Sequence, residues 1–292
     1  MNYYYNVAGI TFRVDLPESI EPERSLPSFR SFLCGPGEPD FTFTVRESGL
    51  VTFPAVQTID ESDSDLGHVV LGKSETGSYA VTVDERHKML SCNDFMENYA
   101  VLDQDSPDYS AALVSMLRIA FSQAALKYGC ISIHSSVVVL DGRAFLFLGS
   151  SGTGKSTHSA LWLKNFPGAR LLNDDNPALR IEEGRVMAYG TPWSGKTPCY
   201  VNEGHPVGGI ARLRQAPYNR YTECIDIEAF ANILPSCSAV RGDRVLQTRL
   251  HDNLAEICSS VRSGVLECRP DDEAAILCER SICGSSINRK QH

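Results

Sequence analysis

At 292 residues and 32.1 kDa, the chain has room for one or two domains at roughly 100–200 residues each. Hydrophobic residues at 42% and charged residues at 22% give a globular composition and exclude a disordered chain. A net charge of −9 and a pI near 5.3 exclude the basic face that general nucleic-acid binding requires.

The opening Met1-Asn2-Tyr3-Tyr4-Tyr5 lacks the basic and apolar regions of a secretory leader, and no run of about 18 apolar residues suggests a membrane span. Ten cysteines between Cys34 and Cys283 show neither a CxxC pair nor zinc-ligand spacing. The expectation is a cytoplasmic protein with reduced thiols, and with neither nucleic acid nor a membrane as partner. Charge is uneven along the chain. Residues 1–105 hold 18 acidic and 7 basic side chains, a net −11, whereas the remainder holds 18 and 20, a net +2. This asymmetry suggests two units, 1–105 and 106–292, with phosphate-bearing ligands better suited to the second.

Residues 1–105 look β-rich. Apolar and polar residues alternate at 10–14 and 41–45, and again at 69–71 and 79–83, the period of half-buried strands. No catalytic constellation stands out in this unit. Beyond Ser106-Pro107-Asp108 the period changes. Ala112, Leu113, Met116, Leu117, Ile119, Ala120, Ala124 and Leu126 form a broad apolar helical stripe that Gly129 would close. Strands are predicted over 131–140 and 143–148, joined by the Asp141-Gly142 hairpin signal. Helix and strand patterns then alternate to about residue 280, and 284–292 has the texture of a frayed polar tail.

The strongest motif is Gly149-Ser150-Ser151-Gly152-Thr153-Gly154-Lys155-Ser156, a complete G-x-x-x-x-G-K-S P-loop, with Thr157 following. An apolar strand runs into it and a helix can open at Ser156. Glycines let the backbone turn its N–H groups toward phosphate oxygens, and the helix N-terminus faces the same anion. Lys155 supplies a mobile point charge for phosphate, and Ser156 offers a hydroxyl to Mg²⁺. Nucleotide phosphate is the ligand this chemistry fits.

Leu171-Leu172-Asn173-Asp174-Asp175 follows after one helix length, a turn at Pro167-Gly168 and a return strand at 169–172. Two carboxylates beside a metal–phosphate site can hold the metal and accept a proton. Asn-Asp-Asp-Asn is also a good Asx-turn sequence. His134, on the strand before the P-loop strand, is either structural or a group tuned by those carboxylates. Lys196, Arg214, Arg220 and Arg244 are weaker candidates for phosphate or an acidic acceptor. His205 suits a loop, and Trp193 suits the core.

Together these residues resemble the kinase core shared by bacterial HPr kinase/phosphorylase and ATP-dependent phosphoenolpyruvate carboxykinase. The likeness spans about residues 130–280 and includes Gly149 to Thr157, Leu171 to Asp175, His134, Gly190 to Lys196 and Leu266 to Pro270. It implies an α/β fold (α+β overall), a P-loop kinase core of that type with a β-rich N-terminal domain. It also implies ATP with Mg²⁺ or Mn²⁺, and γ-phosphoryl transfer to a small molecule or to a protein serine. By position, Asp174 resembles the catalytic base, Asp175 and Ser156 the metal partners, and His134 the active-site histidine, with the two aspartate roles exchangeable. An ATP-binding regulatory module is the alternative, and a homo-oligomer is compatible with either. The chain lacks the Glu-x-Arg-Gly-x-Gly signature of the HPr enzyme, its nearest Arg-Gly being Arg241-Gly242.

Overall fold

The computed structural model describes residues 1–64, 66–195 and 197–283. The expected tail at 284–292 and the candidate Lys196 lie outside those residues. The fold is mixed α/β, with two large sheets in two compact units.

The first unit comprises Met1–Cys130 and Ser238–His251. Its strands are β1 (Asn2–Val7), β2 (Ile10–Asp15), β3 (Phe41–Val45), β4 (Gln57–Ser64), β5 (Gly67–Lys73), β6 (Tyr79–Val83), β7 (His87–Cys92) and β8 (Glu97–Val101). They form one sheet in the order β1-β2-β3-β8-β7-β6-β5-β4, parallel only at β2–β3 and β3–β8. The alternating sequence does what its period demands. In β2, Ile10, Phe12 and Val14 are buried while Thr11, Arg13 and Asp15 stay half-buried.

A single-turn helix, α1 (Pro22–Ser25), precedes the main helix of this unit, α2 (Tyr109–Ala124). The apolar stripe of α2 packs on β3, β6 and β7, and Phe121 lies 6.1 Å from Phe12 and 6.4 Å from Phe41 between ring centroids. The compact units therefore divide between Cys130 and Ile131, not at 105/106 where the composition shifts. A helix belongs with the sheet that covers its apolar face. Against expectation, the run Tyr109–Tyr128 is long and apolar enough to cross a bilayer by length and composition, but 72% of its window is buried within the protein. Gly129 ends the helical stretch at φ 68°, as the sequence leads one to expect.

The second unit comprises Ile131–Cys237 and Asp252–His292. Its strands are β9 (Cys130–Ser132), β10 (Ser135–Leu140), β11 (Arg143–Leu148), β12 (Arg170–Asn173), β13 (Ala178–Glu182), β14 (Arg185–Tyr189), β15 (Gly204–Gln215), β16 (Arg220–Cys224) and β17 (Ser263–Cys268). The sheet runs β12-β10-β11-β15-β14-β13-β9, with β17 beside β15 and β16 beside β17. Asp141 and Gly142 both adopt positive φ, 50° and 75°, in the two-residue turn joining β10 to β11. The helices are α3 (Lys155–Asn165), α4 (Asp226–Ile233), α5 (Arg244–Ser260), whose first half belongs to the first unit, and α6 (Asp272–Ile282). Phe145 and Phe147 of β11, Ala211 and Leu213 of β15, Trp162 of α3 and Cys278 of α6 form the core beneath α3.

The ten cysteines all carry free thiols. The Arg241-Gly242-Asp243 segment lies in the first unit, where Asp243 has a structural duty. Its buried carboxylate accepts from Lys73 Nζ, from Tyr79 Oη at 2.9 Å, and from the N–H groups of Val245 and Leu246 at the start of α5. Burial raises the Asp243 pKa, but Lys73 and those other donors outweigh it, so the carboxyl sits below its ordinary value. Asp243→Ala should cost about 2 kcal/mol, because it removes a helix cap and leaves the buried Tyr79 hydroxyl without its acceptor. The Asp243 contribution should be full at neutral pH and fade as acid takes the pH through its depressed pKa. Urea denaturation of wild type and variant at pH 7 and pH 3 measures both.

Candidate functional site

Residues 149–156 join the C-terminal end of β11 to the N-terminus of α3, the strand–loop–helix setting the motif requires. Gly154 has φ 108°, a conformation that favours glycine, and a Cβ on Gly149 would fall 2.9 Å from Thr153 Cβ. Thr153 closes the loop on itself, its Oγ1 donating to Ser150 O at 2.7 Å. No side chain caps α3, which leaves its first-turn N–H groups open to an anion. Ser150, Ser151, Gly152, Ser156 and Thr157 are exposed along the loop and first helical turn.

Lys155 turns back over this loop and is 91% buried. Its ammonium donates to Gly149 O at 2.9 Å, Ser150 O at 3.3 Å and His134 Nε2 at 2.9 Å. Burial pulls the Lys155 pKa down from the ordinary lysine value, Asp175 and Asp174 oppose the fall, and Arg212 adds to it. Since an ammonium can only donate, His134 Nε2 must accept, and its ring proton lies on Nδ1. Nδ1 faces Asp175 Oδ1 at 3.0 Å. The three groups form a chain, Lys155–His134–Asp175.

His134 is not within a strand, as the sequence suggested. The predicted strand over 131–140 breaks into β9 and β10, and His134 stands in the gap. There its N–H donates to Ser236 O at 2.7 Å, while Ile133 N and Ser135 N donate to Pro177 O and Asp175 O. The break satisfies the backbone through two neighbouring segments instead of one ladder, and brings the imidazole to the loop.

Asp174 faces the helix. Its Oδ1 accepts from Ser136 Oγ at 2.8 Å and from Ser156 Oγ at 3.1 Å, and Ser156 Oγ is 3.3 Å from Oδ2. Ser159, one turn along α3 from Ser156, supports Ser136 at 2.6 Å. The carboxylate pair is aimed by Asn173, whose Oδ1 accepts from Asp175 N and Asn176 N at 2.9 Å each. Asn173 makes the Asx turn that Asn-Asp-Asp-Asn offers, and the turn presents Asp174 and Asp175. Asn173 is held in turn by Thr191 and by the Trp193 carbonyl. Gly195 passes so near that an added Cβ would lie 3.0 Å from Asp174 O.

Among the described residues, no three His, Cys, Asp or Glu side chains are grouped to hold a metal alone. Ser156 and Asp174 nevertheless supply hard oxygen donors side by side, which fits a Mg²⁺ ion that completes its shell with phosphate oxygens and water. On the other flank of the loop, a pocket of about 480 Å³ is lined by residues 149–153 and 212–215.

The sequence candidates do not all gather here. Arg214 lines that pocket. Arg220 pairs with Glu267, His205 sits among Arg170, Glu203 and Gly142 O, and Arg244 lies in the first unit. Trp193 is buried. Ser136, Ser159 and Arg212 escaped the sequence reading as site residues, although Ser159 stands at helical spacing from Ser156. Lys196 lies outside the described residues.

No family model matches the chain, and no curated protein matches it. Among solved structures, the chain is similar to the Hpr(Ser) kinase/phosphatase from Coxiella burnetii, at 18% identity, over 51% of this chain and 86% of that chain, with a TM-score of 0.30. A likeness of that size leaves the chemistry to be read from the site itself.

One buried group on α3 gives the loop helix a measurable signature. His158 Nε2 accepts from Trp162 Nε1 at 3.2 Å, its ring stands edge-on to Phe147, and burial lowers its pKa to about 4. Histidine is neutral in the folded core but titrates near 6.5 in the unfolded chain. The stability that neutral His158 contributes should therefore be full above about pH 6.5 and decline as pH falls toward about 4. His158→Phe should flatten that part of the stability–pH curve, as read by denaturant melts at pH 4 to 7.

Proposed function

We propose that the chain is a P-loop phosphotransferase that moves the γ-phosphoryl group of Mg-ATP to a hydroxyl acceptor. The observation that carries this reading is the Lys155–His134–Asp175 chain standing beside the Ser156–Asp174 pair at one loop. A nucleotide-binding loop alone needs the lysine and the amides. It has no use for two carboxylates and an imidazole held at its edge.

Each part has a physical task. The loop amides and Lys155 bind and orient the phosphate chain, Lys155 exchanging its carbonyl contacts for phosphate oxygens. Ser156 and Asp174 would hold a divalent ion, which would supply charge neutralisation to the phosphate chain. Contacts favour the exchanged aspartate roles: Asp174 is the metal partner because it already bonds the Ser156 hydroxyl, and Asp175 with His134 is the proton acceptor. Ser136 and Asn173 hold the two carboxylates in place. Phosphoryl transfer depends mainly on such positioning and electrostatics. The acceptor class is a small hydroxyl compound or a protein serine, and the setting is cytoplasmic.

The test is ³¹P NMR of Mg-ATP with wild type, Lys155→Ala, Asp174→Asn and Asp175→Asn, against free serine, small hydroxy acids and HPr. Wild type should give a new phosphoester signal. Lys155→Ala should lose nucleotide binding. Asp175→Asn should cut turnover by about a hundredfold or more while ATP still binds. Asp174→Asn should raise the Mg²⁺ concentration needed for half-maximal rate. ATP that binds and stays intact across the panel would point instead to a regulatory module, and no binding at all would contradict the reading.

A further inference from the structure

The β15 flank of the loop carries two arginines, Arg212 and Arg214. β15 runs parallel to β11, and Arg212 is the register partner of Leu148, the last residue before the loop. Ala211 and Leu213 turn into the core beneath α3, so Arg212 and Arg214 occupy the opposite face of the strand. Both line the pocket shared with residues 149–153, and Gln215 is tied to that loop, its Nε2 donating to Gly152 O at 3.2 Å.

Arg212 is half-buried, which makes its charge costly unless an anion is near. Its partners are neutral: the Asn232 carbonyl at Nε, and Ser236 Oγ at 2.8 Å from Nη2. Those bonds fix the plane of the guanidinium and leave other N–H donors of its fork unassigned. Among the described residues, neither arginine forms an ion pair with a carboxylate. Glu267, the register neighbour of Arg214 on β17, is already engaged by Arg220. Burial and then Arg214 lower the Arg212 pKa, Cys237 opposes the fall, and Arg212 in turn lowers that of Lys155. Arg212 and Arg214 therefore reach the loop from β15, while Lys155 crosses it from α3 to meet His134.

We propose that Arg212 and Arg214 bind the diphosphate of the nucleotide and stabilise it as the leaving group, which rests on the phosphotransferase reading above. In an in-line transfer the acceptor oxygen and the leaving oxygen lie on opposite sides of the phosphorus. The loop amides hold the diphosphate, so the leaving side is that of residues 149–153, which line one pocket with Arg212 and Arg214. The acceptor O–P bond forms as the bond from the γ-phosphorus to the β–γ bridging oxygen breaks. The acceptor proton passes to the Asp175–His134 pair, and the electron pair of the broken bond stays on the departing diphosphate as added negative charge. A preorientated guanidinium beside that oxygen neutralises charge where it develops.

Calorimetric titration tests this without knowledge of the acceptor. Wild type, Arg212→Gln, Arg214→Gln and the double variant are titrated with Mg-ADP, inorganic tripolyphosphate and AMP. Each single substitution should weaken Mg-ADP and tripolyphosphate about tenfold, the loss of one charge-assisted hydrogen bond, and leave AMP unchanged. Arg214 is exposed and its side chain makes no hydrogen bond among the described residues, so Arg214→Gln keeps the test decisive if Arg212→Gln fails to fold. Unchanged Mg-ADP affinity in the folded variants of a wild type that binds it would overturn the assignment alone. Loss of Mg-ADP with tripolyphosphate unaffected would also overturn it, because the arginines would then read the nucleoside. A wild type that binds none of the three would overturn the nucleotide reading itself.

Discussion

A buried ammonium is stable only where acceptors surround it, and Lys155 meets that condition with two loop carbonyls and one imidazole nitrogen. Meeting it fixes much else. The carbonyls of Gly149 and Ser150 must turn toward the lysine, which needs the loop's glycine conformations. His134 must present an unprotonated Nε2, which places its proton on Nδ1 and calls for Asp175 opposite. One buried cation thus aligns a loop, a strand break and a turn. The arrangement is cohesive without being closed, because phosphate oxygens can replace the carbonyls around the same charge.

The sheet makes those partners neighbours. β10 pairs with both β11 and β12, so the His134 end of one strand lies between the loop that leaves β11 and the turn that ends β12. Antiparallel β10 carries Ser136 toward α3 and Asp174, and parallel β15 carries Arg212 to the loop's other flank. The result is a polarised site. His134 and Asp175 meet the loop from β10 and β12 and Arg212 and Arg214 reach it from β15, with a metal-compatible oxygen pair at the helix N-terminus.

Much of this was legible from residue order. The motif at 149–156 set the strand–loop–helix, Asp141-Gly142 set the hairpin, and the spacing from Lys155 to Asp174 implied a return strand that is present as β12. Local signals of that kind act within a few residues and survive folding. The break at His134 was not legible, because Ile131 to Leu140 has continuous strand propensity and the interruption comes from Ser236 and Pro177, remote in sequence. Arg212 was hidden for a similar reason, since only register with β11 gives it a role. The helix at 109–124 was found, but composition assigned it to the wrong unit; contact with β3, β6 and β7 decides that question. The Asx turn at Asn173 was legible in Asn-Asp-Asp-Asn, and its bonds to Asp175 N and Asn176 N show that turn aiming the carboxylates.

The central claim is that the Lys155 cradle receives nucleotide phosphate and that the surrounding side chains then take up their separate roles. A crystal structure with Mg²⁺ and a non-hydrolysable ATP analogue tests it most directly. The account predicts phosphates within residues 149–156, Lys155 Nζ moved from the Gly149 and Ser150 carbonyls onto phosphate oxygen, and the metal against Ser156 with Asp174 in its shell. A nucleotide bound elsewhere, or a Lys155 that keeps its carbonyl contacts with the analogue in place, would contradict it.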